Sequence, residues 1–274
     1  MTDTTHDPRV GSLRALTGLA TSGALWRRGR RSPDDIVDTL ADVAPGHRVA
    51  AADADAAATI GVGAAESGTG ALLRAIRTAD RIRLLMPAAG DTCGITAPDA
   101  LAVALEARAV LVLWTGVGDE AVGIVVRAVA PGSLSWTAHH LGEVRSGPVE
   151  SLGDVEYELR QAVRDAAELF ATLDTIDPGS RSASDLRTRL TTLVDVDRVE
   201  LPPEAGDRIM RVMDQATQVA AIVTLVGERT PAVGMTAGSQ ESVDAALERL
   251  RSLTRVARMT AVNTIIAELE RSPH

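Results

Sequence analysis

The chain has 274 residues and a formal net charge of −9; 45% of its residues are hydrophobic but only 2% are aromatic, so its core is built from Ala, Val, Leu and Ile. An acidic chain of this kind argues against a nucleic-acid groove, which needs a basic face to neutralise phosphates. The single cysteine excludes a disulfide framework and a cysteine-based zinc site within one chain.

Two further absences bear on the location of the protein. The first twenty residues lack the continuous apolar stretch of a signal peptide. No run approaches the roughly 20 apolar residues that a membrane-spanning helix requires. We therefore predict a soluble, cytoplasmic protein without a membrane partner.

The N-terminal residues 1–31 are predicted to form an arm. Residues 1–11 are polar and contain Pro8 and Gly11, so we expect them to be disordered, and residues 12–28 have the spacing of a short helix. The cluster Trp26-Arg27-Arg28-Gly29-Arg30-Arg31 is either an anion or nucleic-acid contact or a solvated turn. The acidic balance of the whole chain favours the turn.

The next segment begins with a strong helix signal. Ser32 is an N-cap residue, Pro33 follows at the first helical position, and two acids occupy the first turn. Short strands are predicted at 48–52 and 59–62.

A group of glycines follows these predicted strands, at positions 61, 63, 68 and 70. They invite comparison with a dinucleotide-binding loop, but Glu66 occupies the third glycine position, where an acid repels pyrophosphate. A flexible turn before a helix over 67–79 is the favoured interpretation.

The most strand-like part of the chain lies at its centre. Apolar, β-branched runs at 81–86, 109–114 and 122–129 predict buried strands, and the short loop at 116–120 predicts an antiparallel hairpin between the last two. A helix is predicted over 97–108, with Thr96 as its N-cap and Pro98 in its first turn.

The loop Gly90-Asp91-Thr92-Cys93-Gly94-Ile95-Thr96 is the candidate binding site, because it lies after a strand and before a helix N-terminus. Asp91, Thr92 and Cys93 would line the pocket, and Glu66 or His139 would approach from neighbouring loops. Alternatively, the loop is a turn and Cys93 a small buried hydrophobic residue. No catalytic residue and no cofactor are predicted.

The histidine pair at positions 139 and 140 is expected at the end of a last strand over 133–138, which contains Trp136. Adjacent residues of an extended chain point to opposite faces, so His139 and His140 cannot easily chelate one metal ion. We predict no metal site.

The second half of the chain changes to helical spacing. Helices are predicted at 154–173 and 184–193, followed by an extended connector at 194–201, a helix opened by Pro202-Pro203, and a long final helix from Ser239. We predict an α+β fold: a mixed domain at 32–150 with a central, at least partly antiparallel sheet, and an all-helical domain or layer at 151–274.

Three strings carry a resemblance to a known family: LLMPAAGDTCGI, ALEARAVLVL, and the helical end from VELPPEAGDRIMRVMDQA to LTRVARMTAVNTI. They resemble an uncharacterised protein family of high-GC actinobacteria. The resemblance implies no activity, and therefore no functional residue.

Three functions are weighed. Long amphipathic helices with more apolar surface than a small monomer needs favour a non-enzymatic interaction or regulatory protein that forms homo-oligomers through its C-terminal helices. An enzyme or small-molecule binder with its site at the 90–96 loop is the alternative. Nucleic-acid binding through residues 27–31 ranks last.

Overall fold

The computed structural model describes most of the chain in two compact units. The residues described are 8–62, 68–116, 119–145, 147, 150–174, 183–227 and 237–271. The sheet unit comprises Met1–Pro148, Val199–Ala205 and Val262–His274, and the helical unit comprises Val149–Arg198 and Gly206–Ala261. The chain therefore returns to the sheet unit twice, and the predicted division at residues 150 and 151 does not include these returns.

The secondary-structure elements follow one another along the chain. The helices are α1 (Pro8–Arg27), α2 (Pro33–Val43), α3 (Ala54–Ile60), α4 (Gly70–Thr78), α5 (Pro98–Ala107), α6 (Leu152–Asp174), α7 (Ala183–Asp197), α8 (Asp207–Gly227) and α9 (Ala237–Arg271). The strands are β1 (Gly46–Ala51), β2 (Arg81–Leu85), β3 (Val110–Trp114), β4 (Glu120–Ala130) and β5 (Ser133–Glu143). The predicted α+β fold class is confirmed.

The five strands form one mixed sheet in the order β1-β5-β4-β3-β2. β1 is parallel to β5, whereas the other three neighbouring pairs are antiparallel. The predicted hairpin between the second and third central runs is confirmed, with Leu111 opposite Ile124 and Leu113 opposite Val122.

The core of the sheet unit lies on both sides of the central strands. Every residue of β3 is buried, as are residues 121–126 of β4. Since neighbouring side chains of a strand point to opposite faces, both faces of β3 and β4 are covered. α1 packs on β4 and α5 packs on β4 and β5.

A helix side chain closes one edge of the sheet. β2 is an edge strand, and the side-chain amide of Asn263 in α9 donates to the Leu84 carbonyl at 2.8 Å while its oxygen accepts from the Leu84 N–H at 2.8 Å. The amide thus repeats both hydrogen bonds that a neighbouring strand would make to this residue. Open strand edges attract further strands, so this contact protects β2.

The predicted cap of α2 is present, and a histidine contact that the sequence did not predict lies at the start of β1. Ser32 caps α2 with a capping box, because its hydroxyl accepts from the Asp35 N–H and the Asp35 carboxylate accepts from the Ser32 N–H. At the start of β1, the Trp136 Nε1–H donates to His47 Nδ1 at 2.9 Å. This bond leaves the proton on His47 Nε2, which donates to the Leu40 carbonyl at 3.1 Å.

Several predicted boundaries in the first half of the chain are wrong. Residues 8–11, expected to be disordered, form the first turn of α1, and Leu16 and Leu19 of that helix are fully buried. The strand predicted at 59–62 is instead the end of α3, which Asp53 caps and which stops at Gly61 in a left-handed conformation (φ +66°). Alanine-rich segments carry little strand signal, so helix capping decided this region.

In the second half, the predicted connector and helix start are displaced. α7 continues to Asp197, beyond its predicted end at residue 193, and α8 begins at Asp207, after Pro202 and Pro203 rather than at them. Residues 199–205 instead belong to the sheet unit, where Pro202 is buried. Tertiary contacts hold this segment out of the helix.

The helical unit contains α6, α7, α8 and the first part of α9. α6 and α8 bury regular stripes at helical spacing, and α7 also packs on α8. The buried residues of α8 are Ile209, Val212, Met213, Ala216, Thr217, Val219, Ala221 and Val223.

Candidate functional site

The predicted binding loop is closed by its own backbone. Between β2 and α5, Ala88 and Asp91 exchange two backbone hydrogen bonds of 2.9 Å around Gly90, whose φ of +84° suits glycine. The Asp91 carboxylate then accepts from the Cys93 N–H at 3.0 Å. This carboxylate therefore braces the turn, as the simpler interpretation of the loop predicted.

The second half of the loop is joined to the end of β5. Gly94 has a φ of +83°, and a Cβ built there would lie 2.0 Å from the carbonyl oxygen of Arg145, whose N–H donates to the Gly94 carbonyl at 3.1 Å. Thr96 was expected to cap α5, but its hydroxyl donates to the Glu143 carbonyl, and Ala97 is the N-cap residue without a side-chain bond. Because its hydroxyl makes this contact, Thr96 does not cap α5, and the predicted N-cap is wrong.

Cys93 has the most unusual backbone in the loop. It is half-buried and adopts a φ of +51°, which side-chain-bearing residues rarely do. Asp91, Thr92 and Cys93 are consecutive residues of this loop. Glu66, the fourth candidate, lies outside the described residues.

His139, the fifth candidate, lies within β5 rather than after it, because β5 continues to Glu143. It is half-buried opposite Gly123. Burial lowers the pKa of His139, the positive charge of Arg127 lowers it further, and the Asp53 carboxylate opposes both. These electrostatic partners differ from the groups that contact the 90–96 loop.

The Asp53 carboxylate contacts β5 at His140, next to His139. The Asp53 carboxylate caps α3 through the Ala56 N–H at 2.7 Å and accepts from the His140 N–H at 2.9 Å. Burial alone would raise the pKa of Asp53, but these two donors outweigh it and hold the pKa below its usual value. His140 Nε2 lies 2.8 Å from Glu120 on the surface. Within the described ranges, no three His, Cys, Asp or Glu side chains are grouped closely enough to hold a metal ion.

The basic cluster at 26–31 is engaged in contacts within the sheet unit. Arg27 pairs with Glu270 at 3.1 Å and donates to the Asp80 carbonyl, and Arg31 donates to Ser22 at 3.0 Å. Burial raises the pKa of Glu270, against the influence of Arg27 and Arg28. These contacts use the arginines to hold the unit together.

A small polar cleft opens between α1, α2 and the segment 199–205. Its volume is about 170 Å³. Ser22 and Thr21 on its floor are almost fully buried, and Arg14 pairs with Glu200 across it at 3.1 Å. The lining residues are Arg14, Gly18, Thr21, Ser22, Arg31, Thr39, Asp42, Val43, Glu200, Leu201, Pro202 and Pro203. Ligand pockets are usually larger and lined mostly by apolar groups, so this cleft does not have the typical character of a ligand pocket.

α8 is the most apolar helix of the helical unit. By length and composition it could cross a membrane, and 44% of its most apolar 18-residue stretch is buried within the protein. The core helix of a soluble protein passes the same test. Met210 and Ile222, however, are 38% and 39% exposed on its surface.

Sequence reasoning missed one buried charge in the helical unit. Arg258 of α9 is 8% exposed, and its Nη2 lies 2.5 Å from the Asp197 carboxylate at the end of α7. An arginine within an apolar helical stripe is a signal that could have identified it, since buried arginines need a partner.

These features define an α+β protein with a sheet unit and a helical unit, and comparison with known proteins gives the family. The N-terminal domain of the Rv1486c-like proteins matches residues 17–150, and the C-terminal domain of the same proteins matches residues 153–259. The chain belongs to the Rv1486c-like protein family.

Relatives in mycobacteria extend over nearly the whole chain. The chain is 32% identical to the uncharacterized protein Rv1486c of Mycobacterium tuberculosis (strain H37Rv), with 88% of this chain and 93% of the relative covered. It is 30% identical to the uncharacterized protein ML1804 of Mycobacterium leprae, with the same coverage. No solved structure matches. The predicted actinobacterial family without an assigned activity is confirmed.

Proposed function

We propose that this chain is a non-enzymatic, cytoplasmic interaction protein that self-associates through its helical unit. The surface of α8 carries this proposal. Met210 and Ile222 are large apolar residues, each more than a third exposed, on a helix whose opposite side forms the core of its unit. They lie twelve residues apart, about 120° around a helix of 3.6 residues per turn, so they flank the exposed side of α8.

The geometry of the predicted ligand loop supports the same proposal. The Asp91 carboxylate accepts from the Cys93 N–H, and Thr96 donates to the Glu143 carbonyl, so both polar side chains bond within the protein. A loop that is braced in this way serves to fasten α5 and β5.

The test is the mass of the full chain by sedimentation equilibrium and native mass spectrometry over a range of concentrations. We expect a concentration-dependent dimer that the Ile222→Glu substitution weakens by about tenfold or more, because it introduces a charge into an apolar contact. Thr224→Glu is the matched control, since Thr224 is exposed on α8 two residues away.

Two results would overturn the proposal. The wild-type chain remains monomeric at all concentrations, or the Ile222→Glu dimer is as tight as that of the control. A defined additional mass that disappears in the Asp91→Ala variant would instead support a ligand at the 90–96 loop.

A further inference from the structure

Two arginines and a tryptophan lie on one face of the sheet, at its β2 edge. Arg81 lies directly opposite Trp114 in the antiparallel pair of β2 and β3, and Arg83 follows Arg81 two residues later in β2. Residues opposite each other in a sheet, and residues two apart in a strand, have their side chains on the same face. All three side chains therefore share one face of the edge strand and its neighbour.

The Arg81 guanidinium covers the Trp114 ring. Its Cζ atom lies 4.1 Å from the centre of the ring, and Trp114 is 2% exposed. Arg81 Nε and Trp114 Nε1 are both buried without a hydrogen-bond partner in the described part of the chain. A buried donor without an acceptor costs free energy, so this stack contains two N–H groups that an added acceptor would satisfy.

Asp119 pairs with Arg81 only loosely. Nη2 of Arg81 lies 3.5 Å from the Asp119 carboxylate, beyond the usual N–H···O range of about 2.7–3.2 Å. The two side chains are 38% and 56% exposed, so water screens the pair. The contact engages a single nitrogen of a guanidinium that has several N–H donors. Arg81 therefore retains donors for another acceptor.

Arg83 is a half-buried cation without a counterion in the described ranges. No hydrogen bond or ion pair joins its guanidinium to a described residue. Burial lowers the pKa of Arg83, and the positive charge of Arg81 lowers it further. A half-buried charge beside a like charge destabilises the folded chain, and an anion between the two arginines would offset this cost.

We propose that Arg81 and Arg83 bind a phosphate group of a small soluble molecule beside Trp114. Two residues of a strand lie about 6.6 Å apart, so one phosphate between them can accept from both guanidinium groups. A phosphate group carries roughly two negative charges at neutral pH and matches two arginines, whereas a carboxylate carries only one. The site lies within the sheet unit and does not depend on the proposed self-association.

Binding is tested on the full chain by isothermal titration calorimetry with inorganic phosphate and with glycerol phosphate. We expect saturable binding of one phosphate group per chain. Arg81→Gln and Arg83→Gln should each weaken it by about tenfold or more, because each removes one of the two charges that hold the phosphate. Arg77→Gln is the matched control, since Arg77 of α4 also lies over a tryptophan ring, with its Cζ atom 5.1 Å from the centre of Trp26.

Thermal unfolding gives a second readout, which a structural role of Arg83 would not produce. Arg83→Met removes the half-buried charge, so the Tm in phosphate-free buffer should rise by about 2 °C or more. Phosphate should raise the Tm of the wild type and of Arg77→Gln more than that of Arg83→Met, because only the first two bind it. Chloride at the same ionic strength corrects for charge screening. A lower Tm of Arg83→Met, with and without phosphate, would make Arg83 a structural residue and overturn the proposal.

Three calorimetric results would also overturn it. The wild type binds neither phosphate nor glycerol phosphate at millimolar concentrations, or Arg83→Gln binds phosphate as tightly as Arg77→Gln does. In the third, succinate binds the wild type more tightly than phosphate does, which would replace phosphate by a dicarboxylate. Circular dichroism verifies that each variant is folded before it is titrated.

Discussion

Two polar side chains of α9, Arg258 and Asn263, make contrasting buried contacts. Asn263 is neutral and satisfies both the N–H and the carbonyl of Leu84 with bonds of 2.8 Å. Arg258 is charged and reaches Asp197 through one nitrogen, while its Nε has no described partner. The difference is that the neutral contact satisfies every group it buries, whereas the charged contact bears the cost of a buried charge and of an unsatisfied Nε.

The largest effect is expected from breaking the matched contact. Asn263→Ala leaves the N–H and the carbonyl of fully buried Leu84 without partners. The free energy of unfolding should fall by about 2–4 kcal/mol, because each unsatisfied buried group costs about 1–3 kcal/mol. Urea unfolding monitored by circular dichroism measures this loss.

Asn263→Asp serves as the control, because it retains the acceptor for the Leu84 N–H and loses the donor. The retained hydrogen bond makes Asn263→Asp less destabilising than Asn263→Ala. The cost of burying the aspartate charge acts in the opposite direction. An Asn263→Ala chain as stable as the wild type would mean that the edge contact contributes nothing.

A smaller global effect is expected from breaking the partly matched contact. Asp197→Asn should lower the free energy of unfolding by about 1–2 kcal/mol, because it removes the charge that pairs with buried Arg258 but keeps an oxygen that can accept its hydrogen bond. The same urea titration measures it. A loss equal to that of Asn263→Ala would remove the contrast between the two contacts.

A single side-chain bond in a half-exposed loop should matter less again. Asp91→Ala removes the acceptor of the Cys93 N–H, and we expect a loss of about 0.5–1 kcal/mol, at the low end for one hydrogen bond. Thermal unfolding detects it as a small decrease in Tm. A loss larger than that of Asn263→Ala would show that the 90–96 loop is a principal support of the sheet unit.

The smallest effect concerns pH and the sheet unit. Burial holds the pKa of His139 below its ordinary value of 6.5, so the unfolded chain takes up the proton more readily than the folded chain. The stability that neutral His139 contributes is complete above pH 6.5 and is lost as the pH falls below it.

His139→Gln should flatten the decrease in stability just below pH 6.5, as urea midpoints between pH 7.5 and pH 5 would show. His140→Gln is the control, since its ring is exposed and paired with Glu120. An unchanged slope in His139→Gln would contradict the assignment.

Some of this structure was readable in the sequence because local chemistry specified it. Ser32 with Pro33 predicted the start of α2, and the apolar runs around Leu111 and Ile124 predicted a buried hairpin. The candidate loop was correctly placed between β2 and α5. Its bracing of Asp91 against Cys93 follows the turn chemistry that Gly90-Asp91 predicts.

Other features depended on residues distant in the sequence. Thr96 resembles an N-cap, but Glu143 lies 47 residues away and takes its hydroxyl. Pro202-Pro203 resembles the start of a helix, yet that segment belongs to the sheet unit. Local propensity yields to such contacts because a single tertiary hydrogen bond or buried side chain has an energy similar to that of a cap.

The sequence by itself determined the α+β class, the antiparallel centre of the sheet and the helical second half, since each follows from periodicity and from Gly, Pro and capping residues. Only the tertiary structure decided the parallel pairing of β1 with β5, the closure of β2 by Asn263 and the meeting of Asp197 with Arg258. These contacts join positions up to 179 residues apart. Periodicity describes which face of an element is apolar and carries no information about which distant face or polar group meets it.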